Sequence, residues 1–211
     1  MKKLILIVAS LMIASPINAE SFNEIINSRS YTLKCMIYRK CKDGVKPIND
    51  ISDIASSYPD SNFDIVADEF NRMLTSFNKI GVKVFLGDKK YFPQLYRAVY
   101  SSRKNNIYLN KAYMGDPGGL IRSTRHEGWH VAQDCKVGMK NRQMKPIISE
   151  KYIPKSYHKS VERIYGDRPD EIKIEKGAYW AGFVVGMTEA ALESCIENED
   201  KYINEALRGA D

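Results

Sequence analysis

His126, Glu127, Gly128, Trp129 and His130 form the pattern His-Glu-x-x-His, and they hold two of the chain's three histidines. On an α-helix, positions i and i+4 stand one turn apart on the same face, so both imidazoles can reach one metal ion. Glu127 projects from the edge of that face, where it can touch a metal-bound water without ligating the metal. The chemistry this spacing supports is hydrolysis. A bound Zn2+ makes water easier to deprotonate, and the carboxylate accepts that proton as the water attacks a carbonyl. Glu127 is therefore expected as the catalytic base, with His126 and His130 as metal ligands.

A catalytic zinc usually takes three protein ligands and leaves one position open. A third histidine in the longer metzincin pattern would need Gly at 133 and His at 136, but the chain carries Gln133 and Lys136. A glutamate from a downstream helix is the other common solution. Glu175, followed by the small residues Gly177 and Ala178, is the first choice; Glu171, one turn earlier, is the alternative, and Glu189 ranks third. His158, with Tyr157 and Tyr152, falls between the two ligand segments. It is the candidate for stabilising an oxyanion.

Several elements must position these groups. Phe63, Val66, Phe70, Met73, Phe77 and Ile80 recur at steps of three and four, as on a helix with one buried face. Ser61 or Asn62 can cap its start, and Gly81 can end it in the left-handed conformation. Val82 to Leu86 reads as a strand. A hairpin follows: Tyr96 to Ser101, a turn at Arg103 to Asn106, then Ile107 to Asn110. The last of these is expected to be the sheet edge that holds an extended substrate. Asp116-Pro117 caps and opens the motif helix, which ends near Cys135 to Gly138. A polar connection spans Met139 to Pro154, and helices are expected over Ser156 to Tyr165, from Pro169 through Phe183, and over Thr188 to Leu207. Trp129 is expected to pack beneath the motif helix.

The chain begins with Met1, Lys2 and Lys3, an apolar run from Leu4 to Ala14, and a small-residue site ending at Ala19. That is the form of a cleaved secretory signal peptide over residues 1–19. The run is short for a membrane span, so no stable anchor is expected after cleavage. The product would be periplasmic or secreted. Residues 20–60 read as a loop-rich arm, and 61–211 as one domain. Four cysteines in an exported chain favour two disulfides, expected as Cys35–Cys41 and Cys135–Cys195. The net charge of +6 falls by two when Lys2 and Lys3 leave with the leader. The remaining positive charges are scattered among acidic ones without a basic stripe, so nucleic acid is not an expected partner.

The segments Arg125 to Cys135 and Glu171 to Ala181 together resemble small bacterial and phage zinc metallopeptidases of the gluzincin type. In these a zinc helix is followed by a Glu-x-x-x-Glu helix with small and aromatic residues. The resemblance covers roughly Asn105 to Ala190. It implies a mostly helical α+β, zincin-like domain with a small antiparallel sheet beside the motif helix, a third ligand at the position of Glu175, and a peptide or protein substrate. Lys176 departs from the commoner Glu-Ala form. Two other readings carry different expectations: a non-catalytic binding or inhibitory protein with a structural metal clip, and a zinc amidase acting on cell wall.

Overall fold

The structure, a computed structural model, describes residues 8–10, 34–36, 38, 40–41, 43–93, 95–139, 144–166 and 168–197. It is α+β and mostly helical. The described strands are β1 (Val8–Ser10), β2 (Val45–Ile48), β3 (Lys83–Gly87), β4 (Ala98–Ser101) and β5 (Asn106–Asn110). The helices used below are α1 (Ile51–Ala55), α2 (Asp64–Lys79), α3 (Pro117–Cys135), α4 (Lys155–Tyr165), α5 (Pro169–Ala181) and α6 (Met187–Glu197).

The sheet runs in the order β1-β4-β5-β3-β2. It is mixed rather than antiparallel: β3 and β5 pair in parallel, while the other pairs are antiparallel. The reason is the β4–β5 hairpin. Its tight turn, with Asn105 at a φ of 50°, reverses β5 onto β4, and β5 then meets β3 running in the same direction. Ile107 to Asn110 is consequently an interior strand, and its expected role as the substrate-holding edge is corrected. The strand beside it, β4, has its outer side paired to β1, within the segment read as a leader.

Alternation along the strands builds two layers. Val84, Leu86, Ala98, Tyr100, Ile107 and Leu109 face a core shared with Phe70, Met73 and Phe77 of α2 and with Leu120 and Val131 of α3. Val99 and Tyr108 face the other way, onto Met36, Tyr91, Phe92 and Tyr96. The Cys35–Cys41 disulfide forms in this second layer, and the Tyr108 hydroxyl donates to the Met36 carbonyl at 2.9 Å. The expected N-terminal arm is thus not loop-rich throughout. Val45–Ile48 joins the sheet, and Ile48 and Ile54 enter the main core.

Local signals act where expected. The Asp116 carboxylate accepts from the Gly118 and Gly119 amides at the start of α3, with Pro117 in the first turn. For α2, Asn62 accepts from the Asp64 amide, and Gly81 closes the far end at a φ of 73°. The Met139–Pro154 connection is more than polar, because Met144, Ile148 and Ile153 are buried. The expected leader, apart from Val8–Ser10, most of residues 20–42, and the last helical stretch to Leu207 lie outside the described residues. Cys135–Cys195 also forms, joining the end of α3 to α6. Among the described residues no helix is long and apolar enough to cross a membrane.

Close packing around α3 depends on Gly128. A Cβ there would sit 2.7 Å from Thr188 Cγ2 on α6 and 3.0 Å from Phe77 Cζ on α2. Both neighbours are buried, so neither can give way freely. Gly128→Val is expected to lower the unfolding free energy by about 2–3 kcal/mol, measured by denaturant titration of metal-free protein. An unchanged midpoint would mean that the three helices are not packed this tightly.

Candidate metal centre

Apart from Arg122, helix α3 is buried from Gly119 to Asp134, which puts its polar motif in the interior. Helix α5 crosses it in the antiparallel sense: Ile174 lies by Gln133, Gly177 by Trp129, and the Gly182 carbonyl by Arg125. A Cβ on Gly177 would come within 2.8 Å of Trp129 Nε1. A residue without a side chain is what lets the two helices meet here, with Trp129 buried between them as expected.

That crossing brings Glu175 to both motif histidines. His126 Nε2 is 3.2 Å from Glu175 Oε2, His130 Nε2 is 3.5 Å from Glu175 Oε1, and the two Nε2 atoms are 3.1 Å apart. All three residues are 0–1 % exposed. Among the described residues this is the group of His, Cys, Asp and Glu side chains able to hold a metal ion, its ligand atoms lying within 4.8 Å of one another. Burial works against the Glu175 carboxylate, but the two imidazoles outweigh it and bring its pKa down to about 2. Burial holds His126 below its ordinary value, toward the neutral form that binds metal. Neither Glu175 oxygen has a hydrogen-bond donor. Buried carboxylates are normally satisfied, and a cation held between these atoms would satisfy this one.

Glu127 is fully buried on the same helix, close enough to act electrostatically on His130. Of the other candidates, Glu171 is taken by Arg168 at 2.7 Å, and Glu189 by Arg72 at 3.0 Å. The structure does not bring His158 into the ligand group. Tyr157 packs on the rings of Tyr179 and Phe183, and Tyr152 is exposed.

Residues not singled out as site residues from the sequence complete the surroundings. Arg125 makes a two-pronged pair with Glu69 of α2, at 2.6 and 2.7 Å. Gln133 joins His130 to α5. Tyr96 and Tyr165 both feel the Glu175 charge. Burial pushes Tyr96 up to about 12 and holds Tyr165 well above its ordinary value, so both hydroxyls stay protonated at neutral pH. The Tyr100 hydroxyl of β4 donates to Asp134 Oδ2 at 2.8 Å, one turn beyond His130, and burial raises that carboxyl to about 6. A short polar pattern could have flagged Gln133, three residues after His130, but nothing local marks the tyrosines. Their proximity is a product of chain crossing.

Comparison with protein-family models, with curated proteins and with solved structures gave no match. The functional reading therefore rests on the site itself.

Proposed function

We propose that this chain is an exported zinc metallopeptidase. The observation that carries the reading is the tripod. Two ligand atoms about 2.0–2.1 Å from a tetrahedral zinc stand roughly 3.3 Å apart. Here the two imidazole nitrogens stand 3.1 Å apart, one Glu175 oxygen lies 3.2 Å from His126 and the other 3.5 Å from His130, and ligand atoms taken one per residue lie within 4.8 Å of one another. Two imidazoles and one carboxylate also match the donor set of catalytic zinc sites that keep a position for substrate. Zinc held there supplies Lewis acidity toward water and the scissile carbonyl.

The chain's own residues carry the rest. Glu127, adjacent to His126, takes the proton from the attacking water and passes it to the leaving amine. Tyr96 and Tyr165, buried tyrosines within the electrostatic reach of Glu175, are the donors we assign to the developing oxyanion, in preference to His158. For substrate we assign the outer edge of β4. An extended segment, Val8–Ser10, pairs there antiparallel, with Ala9 opposite Val99. Removal of the expected leader would open that edge to another extended chain. Tyr100 ties the same strand to the motif helix through Asp134.

The complete burial of the ligands also suits a structural metal clip. Such clips close the metal with four protein ligands, whereas this group has three and a carboxylate next in sequence to the first histidine. The experiment uses the mature protein, produced under oxidising conditions, with an unfolded protein as substrate. Cleavage is expected to stop on adding a chelator and to return with about one zinc per chain. A zinc-loaded chain that unfolds at lower temperature when chelated, yet cuts no peptide, would support the clip and overturn the peptidase.

A further inference from the structure

We infer that Gln133 is a positioning residue: it selects the metal-ready tautomer of His130 and locks that ring to the helix carrying Glu175. The inference rests on the metal-site reading and deepens it.

Gln133 is fully buried, so its amide must find partners within the protein. Its Nε2 donates to the Ile174 carbonyl at 2.9 Å, and its Oε1 lies 2.7 Å from His130 Nδ1. These two contacts determine each other. A backbone carbonyl can only accept, so the amide nitrogen must face Ile174. The amide oxygen then faces the imidazole, and an oxygen of this kind can only accept. His130 Nδ1 must therefore carry a hydrogen, and in the neutral ring that a metal requires the lone pair then sits on Nε2, the atom that points at His126 and Glu175. Metal-binding histidines commonly donate their second nitrogen to an outer partner in this way.

The same side chain does a second job. Ile174 immediately precedes Glu175, so the amide grips α5 at the point where the third ligand leaves it. One residue thus sets the tautomer of one ligand and the approach of another. For His126 the corresponding hold comes from the backbone of Ala178, which no substitution can remove. Gln133 is the side-chain handle on the site.

Two variants separate positioning from plain packing. Gln133→Leu loses both bonds. Gln133→Glu keeps an acceptor for His130 Nδ1–H but cannot donate to Ile174. Zinc affinity is measured on the full mature chain by competition with a chromophoric chelator. The His130 ring N–H is followed by 15N NMR in the zinc-loaded protein, and the stability of each metal-free protein by denaturant. For Gln133→Leu, zinc binding is expected to weaken roughly 10- to 100-fold, with loss of the protected ring N–H signal. For Gln133→Glu, that signal should persist and affinity should fall less than in Gln133→Leu, the remaining loss reporting the missing Ile174 bond. Unchanged affinity in Gln133→Leu would overturn the inference. So would equal weakening in both variants, in step with their metal-free stabilities. Wild-type protein that takes up no zinc would instead remove the metal reading itself, and the wild-type titration alone reveals that.

Discussion

Glu127→Gln is expected to keep its zinc and lose its hydrolytic activity, with turnover falling about 10²- to 10⁴-fold. Glutamine has nearly the shape of glutamate, and Glu127 is fully buried, so the substitution changes little in the packing of α3. What changes is proton chemistry. An amide cannot take a proton from water at neutral pH, and it cannot return one to a leaving amine. The ligands His126, His130 and Glu175 are untouched, so elemental analysis should still find about one zinc per chain. Turnover within tenfold of wild type would end the assignment of Glu127 as base. Under the structural-clip alternative the substitution would alter nothing that can be measured as catalysis, because no peptide would be cut to begin with.

Glu175→Ala should empty the site, whereas Glu171→Ala should not. Zinc bound by a small protein site is worth about 10–16 kcal/mol, which places several kcal/mol on each ligand, so affinity is expected to drop roughly 10³-fold. Wild-type protein should gain thermal stability as zinc is added in excess, by the usual linkage of ligand binding to folding, and Glu175→Ala should gain almost none. Glu171 offers the control. Its carboxylate is already engaged by Arg168, on the outer part of α5, and its loss removes an ion pair without removing a ligand. Retention of zinc by Glu175→Ala would exclude it as the third ligand, however well the distances fit.

Much of this site can be read along the chain because its pieces are short-range. The i, i+4 histidines, the Asp116 cap with Pro117, the apolar stripe of α2 and the turn at Asn105 each depend on a few neighbouring residues, and helical or hairpin geometry does the rest. Compartment and parity called for two disulfides and left three pairings possible; the favoured one, Cys35–Cys41 with Cys135–Cys195, forms. Errors arose where a contact spans many residues. The hairpin was legible, but its place in the sheet was not. Which side of β5 meets β3 depends on how the chain returns across the layer, and periodicity within a strand carries no record of that. Hence Ile107 to Asn110, expected at an edge, lies inside the sheet between β4 and β3. The arm was misjudged for a related reason: Val45–Ile48 is only four residues long, interrupted by Pro47, and gains its strand conformation from pairing with β3.

The motif alone nominates two histidines for a metal ion and a carboxylate for a base, since one turn of helix is enough to align them. Choosing among the downstream glutamates by spacing could go no further than a preference. The antiparallel crossing of α5 over α3 separates Glu175 from Glu171, because Gly177 lets the helices approach and turns only one carboxylate inward. The bridge that Gln133 makes between His130 and Ile174 belongs wholly to that crossing. Hydrogen bonds and charges act through space over a few ångströms, and only the packed chain brings those residues within that range.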